Sequence, residues 1–220
     1  MERPLRLIVF DCDGTLVDSQ AFIVGCMRDA FAAAGLPPPA PEAVRRIVGL
    51  SLVQAIDVLL GGGRLAEAEQ LAGHYRDVFM VRRETGAFDE PLFPGTLELL
   101  DALAARDLLL GVATGKTMRG LRHVLAHHGL EGRFVTLQTA DLHPSKPHPA
   151  MLEAAMRETG VGPEATMLVG DTTFDIAMAV AAGALPVGVS WGNHPAEELR
   201  AAGAPHVLDR FDQLLELLPA

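Results

Sequence analysis

The stretch from Leu5 to Thr15 reads LRLIVFDCDGT. Its first part, Leu5–Phe10, is a nearly continuous apolar run, which is typical of a strand that helices cover on both faces. Its second part begins at once with two carboxylates, Asp11 and Asp13, before a glycine turn. In an open α/β sheet the ligand site lies beyond the carboxyl ends of the strands. The stretch therefore predicts a buried parallel strand with acidic chemistry at its end.

Apolar runs and segments of helical period alternate along the rest of the chain. Further strands are predicted at Leu108–Ala113, Phe134–Leu137, Thr166–Val169 and Pro186–Val189, with a sixth at His206–Leu208. Helices are predicted at Gly95–Ala105, Met118–His128, Pro149–Thr159, Phe174–Ala182, Pro195–Ala202 and, as an amphipathic docking helix, Phe211–Leu218. This alternation predicts an α/β fold with a doubly wound parallel sheet.

The connection between the first two strands breaks the alternation. Its pattern is helical only, with segments at Ser19–Ala34, Pro41–Val48, Leu52–Leu60 and Leu65–Arg83. We therefore expect an inserted all-helical cap subdomain at residues 18–88 and a catalytic core made of residues 1–17 and 89–220. Because the insert leaves directly after the first strand, we expect it to lie over the ligand crevice.

Charge and composition exclude several classes of protein. Of 220 residues, 18 are basic and 28 acidic, and the net charge of −10 argues against a nucleic-acid partner. No apolar run approaches the roughly 20 residues that span a bilayer. The two cysteines do not have the spacing of a disulfide framework or a metal site. We expect a cytoplasmic protein, monomeric or homodimeric, that binds neither nucleic acid nor membrane.

Polar residues also follow the other predicted strands. Thr114 and Gly115 come after the second strand, Lys146 lies in the loop after the third, and Asp171 and Asp175 follow the fourth. Each has an ordinary explanation as a turn, a loop or a helix cap. Together they matter more, because the fold places all of them at one edge of the sheet.

This set of side chains predicts a specific chemistry. Four carboxylates in one crevice repel each other unless a cation lies between them, and oxygen ligands without His or Cys favour Mg²⁺. A cation, a lysine, a threonine hydroxyl and backbone N–H groups can together hold a phosphoryl group. Asp11 could then attack the phosphorus, and a second carboxylate at Asp13 could protonate the leaving oxygen.

The chain resembles the haloacid dehalogenase (HAD) superfamily, specifically the helical-cap phosphatases of the phosphoglycolate phosphatase-like branch. The matching segments are Asp11–Ser19, Thr114–Lys116, Lys146-Pro147 and Gly170–Asp175. Each is a weak signal alone, but four in this order, with the cap between the first two, are specific. The resemblance covers essentially the whole chain.

The resemblance implies roles for the acidic residues. Asp11 would be the nucleophile and a Mg²⁺ ligand. Asp13 would be the general acid and base, with its backbone carbonyl on the metal. Asp171 would bind Mg²⁺ directly, and Asp175 would hold a metal-bound water or orient a neighbour.

The resemblance also implies how the phosphate is held. Thr114 and the Gly115 N–H would bind phosphate oxygens, and Lys146 would neutralise both the nucleophile and the transferring group. The implied reaction is Mg²⁺-dependent hydrolysis of a small phosphorylated metabolite through an aspartyl-phosphate, with phosphoglycolate as a first guess.

Substrate choice is expected to lie with the cap. The candidate residues around the break at Gly49 are Arg45, Arg46, Leu50 and Ser51. An arginine that points inward would suit a carboxylate or a second phosphate, because it pairs with both through two hydrogen bonds. The alternative explanation is that Arg45 and Arg46 are solvated helix residues.

Two alternatives to a phosphatase stay open. A β-phosphoglucomutase-like phosphosugar mutase would share the site, although this chain has Leu52 where such mutases have Arg and Gly170 where they have Glu. A non-catalytic phospho-binding module is the other, and its closest model, a receiver domain, lacks both the cap and an acid at the position of Asp13.

Overall fold

Six strands form one sheet in the computed structural model, which describes residues 5–85 and 90–218. They are β1 (Leu7–Phe10), β2 (Leu109–Thr114), β3 (Thr136–Thr139), β4 (Thr166–Gly170), β5 (Leu185–Val189) and β6 (His206–Leu208). Every pairing is parallel, in the order β3-β2-β1-β4-β5-β6. The order changes direction at β1, so the crevice lies at the end of that strand. The predicted doubly wound sheet is confirmed.

Nine α-helices lie within the described residues. They are α1 (Gln20–Ala33), α2 (Pro41–Arg45), α3 (Leu52–Leu59), α4 (Leu65–Glu84), α5 (Thr96–Ala104), α6 (Met118–His127), α7 (Ala150–Thr159), α8 (Thr173–Ala182) and α9 (Ala196–Ala201). Two 3₁₀ helices cover Pro163–Ala165 and Phe211–Leu217. Over the described ranges, the helices are too short or too polar to cross a membrane.

Side chains of β1 pack alternately on the two faces of the sheet. Ile8 and Phe10 belong to a buried cluster with α5 and α6, whereas Leu7 and Val9 belong to a second one with α7 and α8. This two-residue alternation is the geometry of a strand. Helices therefore cover both faces of β1, as its continuous apolar run predicts.

The helices α1–α4 share an apolar cluster of their own. Met27, Phe31, Ile56 and Leu71 are at most 4% exposed within it. All four helices lie between β1 and β2, where the sequence predicts an insert. The predicted boundary at residues 88 and 89 lies outside the described residues, so the exact division remains a prediction.

The third strand is shifted by two residues from its prediction at Phe134–Leu137. The observed strand, β3, has the polar sequence TLQT and pairs with β2 from Gly111 onward. A side chain at Gly111 would meet Thr136 at 2.6 Å, so the glycine lets this register form. Phe134 is buried just before the strand instead.

Two helices also differ from their predictions. The helix expected at Pro41–Val48 ends at Arg45, and the chain continues in turns toward Gly49, whose φ is +99°. The final helix is a 3₁₀ helix, in which residues three apart share a face. That spacing places Phe211 and Leu214 together in the core.

A leucine pair on α5 tests the assignment of the core. Leu100 is fully buried, whereas Leu97 is 43% exposed. We expect Leu100→Ala to lower the free energy of unfolding by about 2–5 kcal/mol, because it leaves a cavity. Leu97→Ala should change it by less than about 0.5 kcal/mol. Chemical denaturation of both variants measures this, and equal losses would contradict the packing.

Candidate active site

Asp11 extends β1 into the crevice. Its N–H donates to the Val169 carbonyl at 2.9 Å, and its side chain is fully buried. Asp13 lies two residues on, while Cys12 between them packs into the hydrophobic core. A side chain at Gly14 would meet Asp171 at 2.2 Å, so this glycine is what lets the loop approach the end of β4.

Lys146 joins two of the carboxylates. Its Nζ lies 2.9 Å from Asp11 Oδ1 and 2.7 Å from Asp175 Oδ1, and all three side chains are completely buried. One carboxylate oxygen each from Asp11, Asp171 and Asp175 lies within 4.8 Å of the others. The structure thus gathers residues that follow β1, β3 and β4 into one buried cluster. Asp13, the fourth carboxylate that the sequence groups with them, does not belong to this set.

Burial and mutual repulsion favour the protonated forms of the carboxyl groups in this cluster. Burial raises the pKa of Asp11 well above its usual value, although Lys146 opposes the shift. Burial and the charge of Asp175 raise the pKa of Asp171 to about 7. Burial alone would lower the pKa of Lys146, but Asp11 and Asp175 outweigh it and raise that pKa. One lysine therefore does not balance the negative charge of three ionised carboxylates.

The donor set fits a divalent cation. Asp11 Oδ2 is buried without a hydrogen-bond partner among the described residues, so one oxygen is left for a ligand. Asp171 is held in place by Thr15 Oγ1, at 2.9 Å from its Oδ1, and by Asn193 Nδ2, at 2.8 Å from its Oδ2. Carboxylate oxygens alone suit a hard cation. The three aspartates could together hold a divalent cation.

Thr114 and Gly115 lie beside this cluster at the end of β2. Thr114 is fully buried, and its Oγ1 accepts a hydrogen bond from Lys116 N at 3.2 Å. A side chain at Gly115 would meet the Leu50 carbonyl at 2.6 Å, so the cap loop covers this turn closely. Both predicted phosphate-binding residues therefore face the same edge of the sheet.

A second buried ion cluster surrounds Asp13, and one of its members, Glu90, was not predicted from the sequence. Lys116 Nζ lies 2.9 Å from Asp13 Oδ1 and 3.2 Å from Glu90 Oε1. Glu90 is 1% exposed, and burial raises its pKa although Lys116 opposes this. Ser19 Oγ donates to Asp13 Oδ1 at 2.5 Å. In the sequence, Lys116 stands out as one of only two lysines, whereas no sequence pattern identifies Glu90 as part of the site.

The two candidate arginines of the cap lie in exposed ion pairs. Arg45 pairs with Glu42 at 3.5 Å, and Arg46 pairs with Glu198 of the core at 2.7 Å. Neither arginine is among the residues that line the cavity, which agrees with the alternative explanation that both are solvated. Helix α2 ends at Arg45, and Arg46 lies in the turn that follows. From there its side chain reaches Glu198.

The other two candidates contact the core. Ser51 donates its backbone N–H to Ser145 Oγ at 2.8 Å, next to Lys146. Leu50 lines a cavity of about 280 Å³ between the cap and the core, and Asp13 lies on the wall of the same cavity. The cap therefore sits against the core and leaves a partly open cavity next to Asp13.

Comparison with known proteins agrees with this geometry. Residues 8–189 match a family model described as haloacid dehalogenase-like hydrolase. The chain is 35% identical over 213 residues to "Probable phosphatase IndB" of Dickeya dadantii, covering 95% of this chain and 91% of that protein. It is 34% identical over 218 residues to a phosphoglycolate phosphatase of Rhodospirillum rubrum, covering 95% and 89%.

A solved structure also matches. The crystal structure of a protein described as haloacid dehalogenase-like hydrolase, from Bacteroides fragilis, superimposes with a TM-score of 0.88 at 26% identity. The match covers 96% of this chain and 99% of that one. Because sequence and fold agree over most of its length, the protein belongs to the haloacid dehalogenase-like hydrolases.

Proposed function

We propose that this hydrolase is a Mg²⁺-dependent phosphatase that cleaves a small phosphorylated metabolite through an aspartyl-phosphate at Asp11. The observation that supports this best is the buried cluster of Asp11, Asp171, Asp175 and Lys146 at the end of the central strand. Such a cluster is stable only with a cation or with protons on its carboxylates. A metabolite phosphate beside a bound cation would meet Asp11 directly.

The proposed reaction has two steps. In the first, an Asp11 carboxylate oxygen attacks the phosphorus, the bond from phosphorus to the leaving oxygen breaks, and Asp13 gives its proton to that oxygen. In the second, a water loses a proton to Asp13 and attacks the phosphorus, which breaks the bond to Asp11. Inorganic phosphate leaves, and both aspartates return to their starting states.

The surrounding residues orient this chemistry. Lys146 holds Asp11 at 2.9 Å and places a positive charge where the phosphoryl group transfers. Thr114 and the Gly115 N–H would hold the oxygens that stay on phosphorus. Lys116 at 2.9 Å and Ser19 at 2.5 Å fix the Asp13 carboxylate. Positioning of this kind supplies much of the catalysis in phosphoryl transfer.

The cation would be held by the carboxylates of Asp11 and Asp171 and by the backbone carbonyl of Asp13. Asp175 would hold a water on the cation or orient its neighbour Lys146, which lies 2.7 Å from it. When bound, Mg²⁺ supplies charge neutralisation, so that an anionic carboxylate can approach an anionic phosphate. The hydrogen bonds from Thr15 and Asn193 keep Asp171 oriented for this role.

We further propose that residues 18–88 act as the cap that covers the substrate. The contacts of Ser51 with Ser145 and of Arg46 with Glu198 support a docked cap. Phosphoglycolate, which the Rhodospirillum rubrum relative is named for, is the natural first compound to test.

Phosphate release tests the proposal most directly. We expect Mg²⁺-dependent release from phosphoglycolate, hexose phosphates or nucleoside monophosphates, and its loss with EDTA. Both the compounds consumed and the free phosphate should be measured. A sugar phosphate that is converted without free phosphate would indicate a mutase, and binding without turnover would indicate a phospho-binding module.

Replacing the nucleophile gives the second prediction. Asp11→Asn should lower kcat by a factor on the order of 10⁴ or more, because an amide does not form the covalent intermediate. Asp18→Asn, the same change at an exposed carboxylate, should leave kcat unaltered. Intact mass after acid quenching should show phosphorylated protein only when Asp11 is present. Substantial turnover by Asp11→Asn would refute the assignment.

Metal removal should couple to pH. Because the folded pKa of Asp171 is raised from 3.8 to about 7, the metal-free folded state binds protons more tightly than the unfolded chain, and its stability falls as pH rises through this window. Mg²⁺ replaces those protons. The gain in Tm over EDTA should therefore be larger at about pH 8 than at about pH 5.

The size of the Mg²⁺-dependent stabilisation depends on the free Mg²⁺ concentration relative to its Kd. At about 100 times its Kd, Mg²⁺ should add about 2.7 kcal/mol, which is several degrees in Tm. Asp171→Asn should remove the Mg²⁺-dependent gain. A gain that is equal at the two pH values would show that the cation binds elsewhere.

A further inference from the structure

The cavity beside Asp13 has an apolar wall that the proposed reaction does not use. It holds about 280 Å³, and its apolar lining comes from α1 (Ile23), α4 (Phe79 and Met80) and the loop after α2 (Leu50). Asp13, Gly115 and Lys116 line the same space. The cavity is thus continuous with the position where the leaving oxygen must receive its proton.

The basic side chains on this wall already have partners. The contacts are Arg76 with Glu69 at 3.4 Å, Arg83 with His123 at 2.7 Å, Arg119 with the Met80 sulfur at 4.0 Å, and Lys116 with both Asp13 at 2.9 Å and Glu90 at 3.2 Å. Arg83 contacts an imidazole and Arg119 contacts a thioether, and neither group neutralises the charge of the arginine. These contacts therefore do not exclude an anionic leaving group, and the apolar side chains of the cavity are what distinguish a ring from a small alcohol.

The cap side of the cavity is aromatic. Phe79 packs edge-on against Phe22, with ring centroids 5.2 Å apart, and lies 6.2 Å from the ring of Tyr75. Aromatic and methionine side chains attract a further ring by stacking and edge contacts. An apolar cavity of about 150 Å³ already holds a benzene ring. A space of about 280 Å³ admits a ring together with the atoms that link it to phosphate.

We infer that the site accepts phosphomonoesters whose alcohol part carries an aromatic or similarly sized apolar ring, with the ring in this cavity and the ester oxygen at Asp13. The inference rests on the proposed phosphatase function and names its substrate class.

Benzyl phosphate and methyl phosphate form the test pair. Both are alkyl phosphates of primary alcohols with similar acidity, so their intrinsic reactivity is matched and the ring is the main difference. We expect kcat/KM for benzyl phosphate to exceed that for methyl phosphate by at least about tenfold, because the ring leaves water for an apolar cavity.

A cavity-filling variant locates the effect. Ile23→Trp should reduce the benzyl-to-methyl ratio to within about twofold of one, since the indole would occupy the space of the ring. Val58→Trp, the same insertion at a cap position that is 54% exposed, should keep the wild-type ratio. Thermal unfolding checks that both variants fold. If Ile23→Trp does not fold, the benzyl-to-methyl ratio of the wild-type protein still tests the inference.

The outcomes separate the two proposals. Hydrolysis of both compounds with a benzyl-to-methyl ratio near one would overturn this inference and leave the phosphatase intact. If folded protein with Mg²⁺ releases phosphate from neither of them, nor from the broader metabolite panel, the phosphatase and this inference both fail.

Discussion

The contact of Lys146 with Asp11 and Asp175 is the interaction on which the site depends. These three charged side chains are fully buried, and buried charges are stable only when they are paired. Removing one member of the set would leave a buried charge without a partner, which is strongly destabilising. The groups come from the ends of β1 and β4 and from the loop after β3. The parallel sheet must therefore hold three separate loops in register before the cluster can form.

The cap adds a second constraint, the shape of the cavity beside Asp13. The three clustered aspartates and Lys146 all belong to the core, and none of them lines the cavity between core and cap. The loop at Leu50 closes over Gly115, and the aromatic wall around Phe79 faces Asp13. In the proposed reaction, residues at the sheet edge would carry out the chemistry and the helices of the cap would select the substrate.

Much of this could be predicted from the sequence because the decisive signals are local. A buried strand followed by Asp11 and Asp13 is visible in one window, and the aspartates and Lys146 follow strands whose ends must meet. The register of β3 could not be predicted, because it depends on Gly111 admitting Thr136 from another strand. The partner of Arg46 could not be predicted for a similar reason, since Glu198 is remote in the chain.

The sequence by itself determined the fold class, the order of the elements and the acidic, lysine-containing edge, because hydrophobic period and residue chemistry are properties of short segments. Only the tertiary structure decided that Glu90 is buried against Lys116, that the cap arginines turn to other partners, and that the space beside Asp13 is apolar. These features depend on distances between residues far apart in the chain. Such distances are set by how the helices pack, which no local pattern encodes.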